Sequence, residues 1–538
     1  MSNPFNPKFP SVMSHDFARV PRINTQRSSF KAPARYVTMF DAGKLIPFLV
    51  FEVIPGDTIK FDNSFLARLN TPAVPFMDNL YLDTQYFFVP NRLCWENWEK
   101  FMGAKDNPGD STIYTIPVVT GPAAGFPVES IYDYMGIPID KTKNVNALPL
   151  RALNLIYKEF YRDQNIINSP AINTGDGPDT WTDYGVSGYP FRRGKRHDYF
   201  TSCLPAPQQG SAAAFSLTGE APVTGIGMES QAPAVGPITA YETDGSGGVS
   251  YANYWQSANA AKEIYTEQDP NNTGFPNIRA NLSGVSGITI AEFRETIQLQ
   301  ALAEIENRGG HRYTEILYSV YNVISPDFRL QRPEYLGGSS TPIYVVPVPQ
   351  TSPTSGSDPQ GQLAGYGSAF KTRDGFTKSF TEHGYIIGIC SVRADLTYSQ
   401  GLHRMWTRST KYDFFNPLLQ NIGDQAVLRQ EIYLADNDSA SDETVFGYQE
   451  RYAEYMYLPS LITGKLRPAY SAPLDYWHLS QEFSSAPTLS QTFIEEDPPI
   501  DRVVVVTAEP DFVMDVYLDA VLVRPMALHS IPGYLGRF

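Results

Sequence analysis

Cysteine is scarce. Three residues in 538, Cys94, Cys203 and Cys390, lie far apart and are odd in number, so no complete disulfide framework can form and reduced, buried thiols are expected. The seven histidines are scattered, with no HExxH pair and no CxxC, and no metal site is assigned from spacing. Long apolar runs are missing. Nothing approaches the roughly 18 consecutive residues of a membrane helix, and the first thirty residues lack a basic start followed by an apolar stretch. Neither membrane insertion nor a secretion signal is expected. Positive charge is short as well: 42 Lys and Arg against 57 Asp and Glu leave a net charge of -15. That balance argues against a chain that coats nucleic acid by itself. Nucleotide and hydrolase signatures are absent. "GYGSAF" and "GIGMES" lack the third glycine of a dinucleotide loop, "RRGKR" has no glycine five positions before Gly194, and there is no GxSxG elbow. No catalytic residue and no cofactor is assigned.

What the chain has is aromatic and turn-forming residues: 33 Tyr and 31 Phe, with 43 Pro and 40 Gly. This profile predicts an all-β protein with long ordered loops, built as one large elaborated domain or two to three ordinary ones. Strands are expected from Leu45 to Ile54, closed by Pro55-Gly56-Asp57, in "MDNLYLDTQYFFVP" (77–90), and again in 341–350, 384–398, 502–510 and 511–526. Three helices are expected. In "NRLCWENWEKFMG" (91–103) Asn91 can cap and Trp95, Trp98, Phe101 and Met102 share a face. "LPLRALNLIYKEFYRDQN" sets Leu153, Ile156, Tyr157 and Phe160 against a sheet. The third has Thr289 and Glu292 in capping-box spacing and Gly309 at its end.

Four regions follow. Residues 1–36 form a basic, proline-containing arm, with Lys8, Arg19, Arg22, Arg27, Lys31 and Arg35 against Asp16, and should be extended. Residues 37–207 hold the first part of the β fold. Residues 208–288 change texture: 11 Gly, seven acids and two bases, yet with recurring rings, so an ordered insertion that needs packing partners is expected. Residues 289–538 hold a helix and the remaining strands. Strands at both ends with long excursions between them suit an eight-stranded antiparallel jelly roll with loop insertions and a few short α-helices.

Against the acidic background, "YPFRRGKRHDYFTSC" (189–203) stands out, with Arg192, Arg193, Lys195 and Arg196 in five positions. Two readings stay open. The run forms a solvated loop or pairs with acids of a neighbouring subunit, or it binds phosphates with His197, Tyr199 and Phe200 free to stack on unpaired bases. Arg19, Arg22 and Arg27 of the arm join it as candidate nucleic-acid contacts.

"FDAGKLIPFLVFEVIPGDT" (40–58), "RLNTPAVPFMDNLYLDTQYFFVPNRLCWENWEKFMG" (68–103), "RRGKRHDYFTSCLPAPQQG" (192–210) and "RLQRPEYLGGS" (329–339) resemble the major capsid protein of the Microviridae, the small single-stranded DNA bacteriophages, in their gokushovirus branch. The resemblance runs from about Arg27 onward and departs at 208–288. It implies a viral jelly roll that self-assembles into a T=1 icosahedral capsid around a circular single-stranded DNA genome, in a virion assembled in the host bacterial cytoplasm. It also implies that the insertion projects at the threefold axes, where Tyr241, Tyr251, Tyr254 and Trp255 are candidate threefold or host-attachment contacts. The partners it brings are identical subunits, the packaged DNA, a small basic DNA-binding protein, a scaffolding protein, a DNA pilot protein and a host receptor such as a glycan. The arm and the run together offer ten cations, far fewer than the phosphates of a genome, so a basic helper is physically reasonable. The alternative is a β-sandwich that binds carbohydrate or hydrolyses glycosides with a carboxylate pair converging from distant segments.

Overall fold

The computed structural model of the chain describes residues 26–212, 289–352, 360–361, 363–435 and 441–529, with the backbone of five short strands between 223 and 280. It divides into two compact units, Gln208–Asn307 and the residues on either side of that segment.

Ten strands form the main sheet of the larger unit: β1 (Ser28–Phe40), β2 (Ile46–Val53), β3 (Thr58–Phe61), β4 (Asn63–Leu69), β5 (Leu80–Pro90), β6 (Glu334–Pro349), β7 (Leu363–Asp374), β8 (Thr377–Ser379), β9 (Gly384–Ala394) and β10 (Phe512–Arg524). Every pairing among them is antiparallel. β3 and β4 run on from one another along one side of β10, and β8 and β7 do the same beside them. The sheet therefore reads across as eight rows: β1, β10, β3 with β4, β8 with β7, β6, β5, β9 and β2. It folds over at β6. Glu334–Ile343 of that strand pairs with β5, whereas Tyr344–Pro349 pairs with β7. Rings then meet across the fold, Phe48 of β2 edge-on to Phe65 of β4 at 5.3 Å and Phe51 of β2 to Phe61 of β3 at 5.8 Å. This is the antiparallel jelly roll expected from the sequence.

The two layers are buried differently. β4 and β10 alternate buried and exposed positions, as a strand covered on one face must. β9 is buried at all eleven positions. Its Ile386, Cys390 and Val392 enter the core between the layers, and its Tyr385, Ile387 and Ile389 pack outward with Phe87, Trp95, Leu150, Leu153 and Ile156. The last three belong to helix α1 (Leu148–Ile156), which starts with Pro149 in its first turn and widens at Tyr157–Tyr161. α1 lies against the sheet as expected.

Several expectations change. The 91–103 helix is two single turns, Asn91–Cys94 and Trp98–Phe101, with Trp95 extended between them. Arg151 takes the Cys94 carbonyl at 3.1 Å and the Trp95 indole donates to Asp176 at 2.7 Å, so tertiary bonds replace continued helix. Asn91 is the first helical residue, with Pro90 at the cap. Trp95, Trp98 and Phe101 do cluster, while Met102 is exposed. Residues 502–510 form no strand beyond a bridge of Val504 to Pro72, because Pro72 and Pro75 lack the donors a longer ladder needs. The strand β1 takes up residues 28–36 of the expected arm, in the extended form the sequence predicts. Pro33 is tolerated in it because, among the described residues, β1 is paired along one side only, by β10. All three cysteines are free and buried, and burial pushes the Cys94 thiol up to about 12.

In the smaller unit, Ile238–Glu242 pairs with Val249–Tyr251 and with Ile264–Tyr265, and Val223–Thr224 pairs with Arg279–Ala280. Helix α2 (Ile290–Gly309) starts as its sequence predicts: the Glu292 amide donates to the Thr289 hydroxyl at 3.2 Å, and the Thr289 amide returns a bond to the Glu292 carboxylate at 2.8 Å.

Candidate nucleic-acid and assembly surfaces

The cationic run is drawn into the fold by its backbone. The Arg193 amide bonds the Gly43 carbonyl at 2.7 Å, the Glu496 amide bonds the Arg193 carbonyl at 2.7 Å, and the Lys195 amide bonds the Ile494 carbonyl at 2.8 Å. Those anchors fix where each side chain goes. Arg192 pairs with Asp497 at 2.7 Å. Arg193 pairs with Asp83 of β5 and donates to the Ser391 hydroxyl of β9 at 3.0 Å. Arg393 reaches the same Asp83 at 2.8 Å. Burial alone would raise the Asp83 carboxyl, but the two guanidiniums hold it below its ordinary value.

Lys195 is 7% exposed. Its ammonium donates to Gln481 at 2.6 Å and lies 4.4 Å from the centre of the Phe493 ring. Desolvation lowers it to about 8, opposed by Glu496, Asp198 and Asp497. Burial likewise raises Glu496 to about 7, against a bond from the Ala394 amide and the nearby cations. Arg196 reaches Asp395 at 3.2 Å with its side chain 64% exposed.

Tyr199 and Phe200 are buried in a third core cluster. Tyr199 stacks on Tyr457 at 4.4 Å and donates to Glu431 at 3.0 Å, so neither ring is presented to a base from solvent. Asp198 closes the segment by accepting the amides of Phe200 and Thr201. The run does pair with acids, but these belong to the same chain and not to a neighbouring subunit. The run joins β5, β9 and the 481–497 segment.

The other candidate residues are dispersed. Arg27 precedes β1 and its guanidinium lies 3.4 Å from the Thr58 hydroxyl. Arg19, Arg22, Tyr254 and Trp255 lie outside the described residues. Tyr241 is opposite Tyr265 and Tyr251 opposite Ile238 in the small sheet, with their side chains outside the described set. Among the described residues, no group of three His, Cys, Asp or Glu side chains is placed to hold a metal ion.

Sequence reasoning missed a different surface. The outward positions of β1, β10, β7 and β6 carry Val37, Met39, Val513, Tyr517, Phe370, Tyr366, Tyr344 and Val346, all exposed. Contiguous apolar area on this scale marks a face that meets something else. The alternation in "PIYVVPV" and "AGYGSAF" carried the signal, but without the register it does not show which strands lie side by side.

Comparison with known proteins agrees with the fold. The capsid protein (F protein) family matches residues 18–534. The capsid protein VP1 of Bdellovibrio phage phiMH2K is 44% identical over 535 residues, covering 97% of this chain and 98% of that protein. The capsid protein VP1 of Chlamydia phage 1 is 40% identical over 596 aligned positions, with 98% of each chain covered. That of Spiroplasma virus 4 is 33% identical, over 96% of this chain and 97% of its own length. A jelly roll with a bare apolar face, matched across nearly its whole length by capsid proteins, belongs to the capsid protein (F protein) family of the Microviridae, as a major capsid protein whose copies associate in the virion.

Proposed function

We propose that copies of this chain close a T=1 icosahedral shell around a circular single-stranded DNA genome, with residues 208–288 forming the threefold protrusion that attaches to a host receptor. The observation that carries this reading is the separation of the chain into a jelly roll, whose strands close without the insertion, and a second compact unit at 208–307. A closed sandwich can tile while its insertion varies. Assembly takes place in the host bacterial cytoplasm, with a scaffolding protein and a DNA pilot protein as further partners. Interior DNA contacts fall on Arg19, Arg22, Arg27 and the exposed Arg196, while Arg192, Arg193 and Lys195 serve intrachain partners first. A net charge of -15 favours a small basic protein that shares neutralisation of the genome.

Sedimentation of material from infected cells, with nucleic-acid and protein absorbance followed across the gradient, tests the shell. A large species rich in nucleic acid is expected, and a 60.0 kDa species throughout overturns it. Deleting residues 211–287 is expected to leave assembly and to abolish adsorption. Unchanged adsorption removes the attachment role.

A further inference from the structure

We infer that the outward face of β7, with its neighbours β6 and β4, is a cradle for unpaired nucleotides centred on Ser368; this rests on the single-stranded DNA reading above. The register builds the site. Ser368 is opposite Tyr344 on β6 and opposite Arg68 on β4. Tyr366 and Phe370 lie two positions to either side of it on β7, and so on the same face. A small hydroxyl residue is thus bordered by three rings and one guanidinium, with strands about 4.8 Å apart and diagonal neighbours about 7–8 Å away. The rings are open: Tyr344 is 66%, Tyr366 45% and Phe370 68% exposed. Inward-facing Ala369 is buried beneath, which fixes the strand's orientation.

The chemistry fits a nucleotide part by part. Every base has a π-face that stacks on an aromatic ring without regard to sequence, at a spacing that neighbouring strands provide. The Ser368 hydroxyl can donate to or accept from a base edge. Arg68 is exposed, with no ion-pair partner among the described residues, and is free for a phosphate. Lys31, Arg35 and Lys60 share the outward face. Arg35 is held by Asp515 at 2.6 Å and Lys60 by Asp62 at 3.6 Å, while Lys31 and Arg68 have no such bridge among the described residues. Counting all charges there, Lys31, Arg35, Lys60 and Arg68 stand against Asp62, Asp515 and Asp519, a local excess of one positive charge on a chain at -15 and of the sign that DNA selects.

Ultraviolet crosslinking of intact DNA-filled particles, followed by mass spectrometry, is the direct test. Nucleotide adducts on Tyr344, Tyr366 or Phe370 are expected. Adducts confined to other segments, or a face found covered by a neighbouring subunit or by residues 1–25, overturn the inference and leave the DNA-filled shell standing. Particles without DNA overturn both. A second measurement does not depend on assembly: an oligothymidine titrated into the full-length subunit at several salt concentrations. Tyr344→Ser with Phe370→Ser is expected to weaken binding at least tenfold, whereas Tyr344→Phe restores it. Arg68→Gln is expected to reduce the slope of log affinity against log salt by about one. Variants indistinguishable from the parent in affinity and slope overturn the site.

Discussion

The two layers of the sandwich spend their outer faces in opposite ways. β9 is buried at every position because α1 and the Trp95 cluster cover its far side, whereas β10, β7 and β6 leave Tyr517, Phe370 and Tyr344 to solvent. One layer completes the subunit's own core. The other keeps its apolar surface for something outside the subunit. In a single soluble domain that asymmetry would be a solubility liability, and in a shell protein it is the surface that gets used.

Mutations on matched positions sharpen this difference. Trp95→Ala, on the covered side, removes a fully buried indole and its bond to Asp176, and is expected to cost about 3–5 kcal/mol in denaturant unfolding. Tyr344→Ser, on the bare side, is expected to stay within about 0.5 kcal/mol. Equal losses would mean that the bare face is covered in the free subunit. Next comes the ionic staple that ties the covered layer to the cationic run. Asp83→Ala strands Arg193 and Arg393 without their shared carboxylate, and a loss near 3 kcal/mol is expected.

The pH dependence is smaller and its sign is fixed. Burial lifts Glu496 to about 7 and Asp511 to about 6, so the folded state holds their protons more tightly than the unfolded chain. That contribution is fully present below the ordinary carboxyl range and is lost as pH rises through about 6 to 7. Glu496→Gln is therefore expected to flatten the decline in unfolding free energy between about pH 5 and 8, by roughly 3 kcal/mol at most. A steeper decline would contradict it. Among the ionic contacts the smallest loss is from Arg196→Ala: its partner Asp395 is half-buried but the guanidinium lies largely in water, and a change below about 1 kcal/mol is expected.

Much of the architecture was legible. The alternation in 511–526 and the apolar run at 384–398 mark strands because each pattern follows from how many faces are covered. The boundary of α2 was legible because its capping box is local, and α1 because its apolar spacing is. The cationic run was legible as an anomaly but not as a site. Four cations in five positions look the same in sequence whether their counter-charges are DNA phosphates or Asp83, Asp395 and Asp497, which lie from about one hundred to three hundred residues away. The Ser368 cradle was invisible for the same reason. Tyr344, Ser368 and Arg68 become neighbours only through two ladder registers that no short window contains. Pro33 was legible as a mark of extended chain, but its place in a strand rests on β1 pairing along one side only among the described residues.

The pairing of β1 with β10 also sets a clock. Arg35 and Asp515 face each other across 480 residues of chain. At a synthesis rate of roughly 5–20 residues per second, β1 emerges from the ribosome about half a minute to a minute and a half before β10, its strand partner among the described residues, exists. Until then the sandwich has an open seam. A nascent subunit therefore cannot present its finished surface to neighbours, and closing that seam amounts to a completeness check performed by the last of the described strands to be made.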